Sequence, residues 1–202
     1  MSTLLITGAS GHLGRRVAEL LLDAGQHRIV LATRTPAKLA DLAARGALVR
    51  AADFDNPASL ATAFAGVDRL LLVSTDVLDQ PGRRLAQHRA AIVAAAAAGV
   101  RHVVYTSLLN AVPDSVMSLA PDHAQTEQAL AASPLTWTVL RNNLYADNLL
   151  ASLGFAVATG QLHTASAAGA ISYITREDCA RAAAAVLAST EIANRTLDIT
   201  GP

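Results

Sequence analysis

The segment GASGHLG at residues 8–14 spaces three glycines as phosphate-binding turns do. It follows an apolar run at residues 3–7 that is typical of a buried strand, and apolar residues at helical spacing come after it. In this context the first glycine permits a tight turn, the second lets the backbone approach a pyrophosphate, and the third lets the helix pack closely. Unpaired amides at the helix start attract phosphate. A dinucleotide-binding turn is therefore predicted, and the alternative is a tight turn without a ligand. The predicted cofactor-binding residues of this turn are Gly8, Ala9, Ser10, Gly11, His12, Leu13 and Gly14.

The end of the second predicted strand, which holds Arg34 and then Lys38, indicates which dinucleotide is bound. An NAD site usually places Asp or Glu about 20 residues after the glycines, where the carboxylate accepts a hydrogen bond from the ribose hydroxyl. A guanidinium cannot accept that bond, but it can pair with a 2′-phosphate. Arg34 and Lys38 are thus predicted cofactor-binding residues, and NADPH (NADP) is favoured over NADH. The alternative is that both side chains only solvate the surface.

Two further residues near this turn allow two interpretations each. His12 either touches a phosphate or the reducing end of the ligand, or it is an exposed loop residue. Asp53 follows the third predicted strand, where adenine commonly lies, and it either accepts a hydrogen bond from the base or caps a turn. Both are kept as candidate cofactor-binding residues.

The elements that position these residues alternate between short apolar strands and longer helical stretches at least five times. This rhythm predicts an α/β fold with a doubly wound parallel sheet, the three-layer Rossmann fold, over a single domain of residues 1–202. A helix is expected over residues 83–98 and another over 122–132. Thr175 and Asp178 resemble a capping box at the start of a later helix. Ligands of such sheets bind at the carboxyl ends of the strands.

Composition excludes several other classes of protein. The 202 residues include 16 basic and 16 acidic side chains, so a nucleic acid or an anionic membrane is not the expected partner. Cys179 is the single cysteine, which excludes a disulfide framework and fits a reducing cytoplasm. Neither a secretory leader nor an apolar membrane span is predicted, and there is no metal cluster or flavin motif.

Five segments together resemble one family. They are TGASGHLG at 7–14, RTPAK at 34–38, LLLVS at 70–74, YTSLL at 105–109 and LRNNLY at 140–145. With this spacing the chain resembles the NmrA-like atypical short-chain dehydrogenases, and within them the type-2 NAD(P)H:quinone oxidoreductases and the related triphenylmethane reductases. Members of that family usually continue for several tens of residues more, so residues 143–175 are expected to contribute to a reduced substrate side.

The resemblance also implies site residues at the reactive end of the cofactor. Ser107, Asn143 and Tyr145 are the catalytic candidates, although Tyr145 is equally expected as an aromatic residue packing a helix start. The further cofactor-binding residues that it implies are Ser74, Thr75, Asp76, Ser107, Asn143, Leu144, Tyr145 and Asn148.

One departure from ordinary short-chain dehydrogenases bears on the reaction. They use Tyr-x-x-x-Lys for proton transfer, whereas this chain has HAQTE at residues 123–127, with His123 either a proton donor or part of a solvated pair with Glu127. Reduction of a quinone does not require a catalytic proton donor, because an aromatic hydroquinone forms and solvent can supply the protons. The prediction is therefore an enzyme that passes hydride directly from NADPH to a quinone-like acceptor without flavin. The alternatives are a non-catalytic redox-sensing regulator of the NmrA type and a reductase of triarylmethane-like dyes. A homodimer is an open alternative to a monomer.

Overall fold

The computed structural model describes residues 1–115, 117–163 and 169–202. Within these residues seven strands form one parallel sheet in the order β3-β2-β1-β4-β5-β6-β7. The predicted doubly wound Rossmann fold is therefore confirmed. The strands are β1 (Thr3–Ile6), β2 (Arg28–Thr33), β3 (Leu48–Ala51), β4 (Arg69–Leu72), β5 (His102–Leu108), β6 (Thr136–Asn142) and β7 (Arg195–Ile199).

Helices connect the strands and cover both faces of the sheet. Two 3-10 turns, at Pro36–Leu39 and Ala146–Leu149, precede shorter helices. The helical segment after β2 is thus divided, since its first turn is 3-10, and the helix after the sixth strand was not predicted from the sequence. The α-helices are α1 (His12–Ala24), α2 (Ala40–Ala44), α3 (Pro57–Phe64), α4 (Arg83–Ala97), α5 (Ala120–Ala131), α6 (Leu150–Thr159) and α7 (Arg176–Ala188).

Two apolar cores lie on opposite faces of the sheet. Successive side chains of a strand point to opposite faces, so alternate residues of β1 contribute to both cores. Leu4 and Ile6 pack in the core with α1 and α7. Leu5 packs in the other core, with α3, α4 and α5. Strands buried on both faces read as continuous apolar runs, which is why the sequence identified them so readily.

The sheet order reverses between β1 and β4, and Thr7 secures the two strand ends there. The Thr7 hydroxyl donates to the carbonyl of Leu71 at 3.1 Å and accepts from the amide of Val73 at 2.9 Å. Beyond this point the chain leaves β1 towards one face and β4 towards the other. In such sheets a crevice opens at the carboxyl ends of these strands.

Helix α7 begins with the predicted cap. The Thr175 hydroxyl accepts from the amide of Asp178 at 3.0 Å, so one of the unpaired amides at the helix start is satisfied. The cap fixes where α7 begins and therefore where its first residue, Arg176, lies.

Replacing Thr175 by Ala should lower the free energy of unfolding by about 1 kcal/mol, because an N-cap hydrogen bond is lost. Urea denaturation of the wild type and the variant measures the difference. Thr62→Ala is the matched control, because Thr62 is exposed within helix α3 and caps no helix end. Equal effects of the two substitutions would contradict a capping role for Thr175.

Candidate functional site

A cleft of about 430 Å³ opens at the carboxyl edge of the sheet, between the loops that follow β1, β2, β3 and β4. This is the crevice that the strand order predicts. Residues from four separate sequence segments thus meet around one space. The predicted cofactor-binding residues that line it are Gly8, Ser10, Gly11, His12, Leu13, Gly14, Arg34, Lys38, Asp53, Ser74, Thr75 and Asp76.

The glycine turn at the cleft is tight enough to require its glycines. Gly8 has a φ of +59°, in the left-handed region that favours glycine. A Cβ atom on Gly14 would lie 2.5 Å from the carbonyl oxygen of Gly8, which is backbone and cannot move aside cheaply. Helix α1 therefore begins directly against the turn that leaves β1, as the spacing predicts.

Free amides at the start of α1 face this turn. Among the described residues, the amides of Ser10, His12 and Leu13 donate to no protein group, whereas the Gly11 amide donates to Gly8 at 2.9 Å. Such unpaired amides, together with the helix dipole, form an anion site. A pyrophosphate fits here, since it supplies acceptors without requiring a side chain to bind it.

The tip of β2 is fastened to the glycine turn beside two cationic side chains. The hydroxyls of Ser10 and Thr33 are hydrogen bonded at 2.9 Å, and Thr33 also accepts from the Thr35 amide at 3.1 Å. Arg34 and Lys38 are exposed and line the cleft, and neither makes an ion pair within the described part of the chain. Their charges are thus available to a 2′-phosphate.

His12 and Asp53 are placed so that both of their interpretations partly apply. His12 is exposed, and it also lines the cleft. Asp53 accepts from the amide of Asp55 at 3.1 Å, which is a turn-stabilising bond, and its half-buried side chain borders the cleft beside Phe54. Contact with a ligand remains a prediction for both residues.

Ala9 and Ser107 lie outside the lining of the cleft. Ala9 is buried in the core beneath the glycine turn. Ser107 is buried at the end of β5, where its hydroxyl donates to Glu127 Oε1 at 2.5 Å. Glu127 also pairs with Arg141 at 2.6 Å. The Ser107 hydroxyl proton is thus directed to a carboxylate, and the predicted catalytic role of Ser107 stays a prediction.

The predicted residues after β6 do not line the cleft. The Asn143 amide donates to the carbonyl of Ser172 at 2.8 Å and to the Thr200 hydroxyl at 3.1 Å. It therefore joins the segment before α7 to the end of β7. Leu144 and Asn148 lie on either side of Tyr145 at this end of the sheet, and the roles predicted for all four residues remain predictions.

Tyr145 keeps its proton at neutral pH. Burial raises the pKa of its phenol, and the oxygen accepts a hydrogen bond from Asn142 Nδ2 at 3.1 Å. The phenolic proton is then free to be donated. This differs from the Tyr-x-x-x-Lys arrangement, in which a lysine lowers the tyrosine pKa.

Arg176 is a site residue that the sequence did not reveal. It begins α7, lines the cleft, and lies over the Tyr145 ring with its guanidinium carbon 5.1 Å from the ring centroid. Asp147 holds it through the Arg176 amide at 2.8 Å and Nη1 at 3.2 Å. The capping box located the helix start, but not its position next to the cleft, which depends on the packing of α7 against α1.

The structure contradicts the interpretation of His123 and Glu127 as a solvated pair. His123 is buried, with Nδ1 2.8 Å from the Tyr105 hydroxyl and Nε2 2.9 Å from Arg84 Nη2, so it is not on a solvated face. Burial lowers the pKa of His123 to about 3, and His123 does not line the cleft, so this geometry gives no support to its role as a proton donor. Glu127 faces Ser107 and Arg141 instead. Helical spacing put the two side chains on one face, but could not show that this face packs against the sheet.

Comparison with known proteins agrees with this site. A model of the NAD(P)H-binding family matches residues 8–190, and the chain belongs to that family. Quinone oxidoreductase 2 of Escherichia coli (strain K12) is 42% identical over 197 residues, which are 97% of this chain and 68% of that protein.

Two solved structures have the same architecture. The E. coli NADPH-dependent quinone oxidoreductase complexed with NADPH superposes with a TM-score of 0.90 at 42% identity, over 98% of this chain and 69% of the other. The Citrobacter sp. triphenylmethane reductase complexed with NADP(H) gives a TM-score of 0.90 at 34% identity, over 98% and 70%. The predicted family resemblance and the NAD(P)H-binding fold are therefore confirmed. No helix within the described residues is long and apolar enough to cross a membrane.

Acid should destabilise the protein through its buried histidines. Burial lowers the pKa of His88 and His123 to about 3, next to Arg84, and that of His102 to about 4, near Arg69 and Arg195. The unfolded chain takes up protons on these groups below pH 6.5 and the native state does not, so stability falls as the pH is lowered. Between pH 7 and 5 each histidine should account for about 2 kcal/mol.

Urea denaturation at pH 7, 6 and 5 measures this loss. Most carboxylates remain ionised over this interval, so the histidines dominate. His102→Gln removes one titrating group, and the decrease in unfolding free energy should be about 2 kcal/mol smaller than in the wild type. A wild-type stability that does not change between pH 7 and 5 would show that the histidines are not buried as neutral groups.

Proposed function

We propose that this chain is an NADPH-dependent oxidoreductase that transfers hydride directly to a quinone-like acceptor without flavin. The observation that carries the proposal is the combination of free amides at the start of α1 with the exposed Arg34 and Lys38 at the tip of β2. These groups match a pyrophosphate and a 2′-phosphate. The similarity to quinone oxidoreductase 2 over 97% of the chain supports the choice of acceptor.

The strand order orients the cofactor in this proposal. The adenine half lies over β2 and β3, with Asp53 and Phe54 beside the base, because Arg34 and Lys38 are on that side of the cleft. The nicotinamide half then lies towards β4, β5 and β6, next to the Ser74–Asp76 loop and Arg176. Tyr145, whose ring lies under the Arg176 guanidinium, is the residue that we place near the reactive end in this proposal.

The acceptor side is the apolar surface after β6. Helix α6 buries none of its residues, and its Leu150, Phe155 and Val157 side chains are exposed. A flat, apolar quinone suits such a surface, because contact with it removes apolar area of both from water. We therefore propose that residues 143–175 contribute to the substrate side; residues 164–168 among them lie outside the described residues.

In the proposed reaction the main task of the protein is to position the nicotinamide and the quinone. When bound, NADPH supplies a hydride from its nicotinamide ring. The quinone gains that hydride and one proton from water, and it leaves as the hydroquinone while NADP⁺ remains. Tyr145 can donate a hydrogen bond to a quinone oxygen as negative charge develops there, because its phenol stays protonated. Catalysis then depends mainly on holding the two rings together.

A second candidate reaction is reduction of triarylmethane-like dyes, which the similarity to a triphenylmethane reductase favours. A non-catalytic NADP(H)-sensing regulator would use the same cleft without turnover. We further propose that the protein acts in the cytoplasm, where its lone Cys179 stays reduced. A homodimer belongs to the same set of proposals.

A turnover assay distinguishes these functions. Purified protein is mixed with NADPH and a panel of simple quinones and triarylmethane dyes, and loss of the nicotinamide absorbance is followed. Faster oxidation with quinones supports the proposal, whereas a preference for dyes supports the second candidate. NADPH binding without oxidation of any acceptor would contradict an enzyme and favour the regulator.

Replacing Arg34 by Ala should weaken NADPH binding by about 10–100-fold, because charge-assisted hydrogen bonds to the 2′-phosphate are lost. NADH, which has no 2′-phosphate, should lose less than threefold. Calorimetric titration with both cofactors measures the two affinities. Arg101→Ala is the matched control, because Arg101 is exposed at the amino end of β5, away from the cleft at the carboxyl ends of the strands, and pairs with Asp68. Equal losses for NADPH and NADH would contradict the role given to Arg34.

A further inference from the structure

The loop that follows β4 lines the middle of the cleft but has no regular secondary structure of its own. Ser74, Thr75 and Asp76 all border the cleft. Side chains from elsewhere must therefore hold the loop in place. The Ser74 amide donates to Thr106 Oγ1 of β5 at 2.9 Å. The next residue, Thr75, is held more completely.

Both peptide groups of Thr75 bind side chains of helix α4. Its amide donates to His88 Nε2 at 3.0 Å, and its carbonyl oxygen accepts from Arg84 Nε at 2.7 Å. Arg84 and His88 are four residues apart, so they project from the same face of α4. Both side chains are buried. Helix α4 thus fixes the position of the Thr75 backbone through two side chains that do not line the cleft.

The hydrogen bonds of His88 have defined directions. A backbone amide can only donate, so His88 Nε2 must be the acceptor and Nδ1 must carry the proton. Nδ1 then donates to Thr126 Oγ1 at 3.0 Å, and Thr126 donates to the carbonyl of Asp122 at 2.7 Å. The neutral ring is therefore fixed at both nitrogens, and its acceptor faces Thr75.

Arg84 is fixed in the same way. Its Nη2 donates to His123 Nε2 at 2.9 Å, so His123 Nδ1 carries the proton and donates to the Tyr105 hydroxyl at 2.8 Å. The nearest carboxylate, that of Asp122, is 3.9 Å from Nη1. Burying a guanidinium without a close counter-ion costs folding free energy. The buried guanidinium of Arg84 nevertheless fixes the carbonyl group of Thr75, which lines the cleft.

We propose that His88 and Arg84 are positioning residues for the cofactor: by holding both peptide groups of Thr75 they preform the Ser74–Asp76 side of the cleft before NADPH binds. The inference rests on the NADPH site of the proposed function. Preforming a loop removes the entropy cost of ordering it on binding, and so it strengthens affinity. Neither side chain lines the cleft, so both act through Thr75.

His88→Met tests the proposal, because methionine is similar in length to histidine but replaces the imidazole acceptor by a thioether sulfur, which accepts hydrogen bonds only weakly. The dissociation constant for NADPH, measured by calorimetry, should rise about tenfold. In the cofactor-free protein, hydrogen exchange at the Thr75 amide should become about tenfold faster. The Ser74 amide, which binds Thr106 instead, should exchange at the wild-type rate.

Two conservative variants and one control make the result specific. Gln can place its carbonyl oxygen near the position of His88 Nε2, so His88→Gln should recover most of the affinity and of the Thr75 protection. Arg84→Lys keeps the charge but cannot reach Thr75 and His123 together, so it should resemble His88→Met. His102→Met removes another buried histidine at the amino end of β5, and it should lower stability without changing either readout.

The outcomes separate this inference from the function on which it rests. A folded His88→Met protein with wild-type NADPH affinity and wild-type Thr75 exchange would overturn the inference alone. The same changes in His102→Met would also overturn it, because they would follow from lost stability. Absence of NADPH binding by the wild type would overturn the proposed function and, with it, the cofactor role of the pair.

Discussion

The close approach of Gly14 to the carbonyl of Gly8 fixes where helix α1 begins. Any Cβ at position 14 would lie 2.5 Å from that oxygen, so the first turn of the helix sits against the end of β1 only because the residue is glycine. The amides of His12 and Leu13 then border the cleft, and within the described residues they have no protein partner. Since Thr33 is bonded to Ser10 in the same turn, the position of Arg34 depends on this contact too.

Local patterns were enough to predict this half of the site. A glycine turn between an apolar strand and an amphipathic helix has few structural solutions, and Arg34 follows the next strand in the chain. Arg176 could not be predicted, because the packing of α7 against α1 brings it to the cleft across more than 160 residues of sequence. His123 and Glu127 were misassigned for a related reason: helical spacing shows which residues share a face, but not what covers that face.

The cleft divides into two chemically different halves. The half over β2 and β3 presents cations and a glycine turn, and its binding groups are mostly exposed or backbone. At the end towards β6, Arg176 lines the cleft and is held by two residues outside the lining: Asp147 pairs with it, and the Tyr145 ring lies against its guanidinium. Between the two halves lies the loop after β4, which Arg84 and His88 of helix α4 hold through hydrogen bonds to Thr75. The chain contains all of these groups within about two-thirds of the length of the relatives that it matches.

A crystal structure of the protein with NADPH tests the central claim most directly. It should show the pyrophosphate within hydrogen-bond distance of the His12 and Leu13 amides, and the 2′-phosphate against the Arg34 guanidinium. The nicotinamide should point towards Tyr145. A nucleotide bound elsewhere, or a 2′-phosphate directed to solvent away from Arg34, would contradict the account.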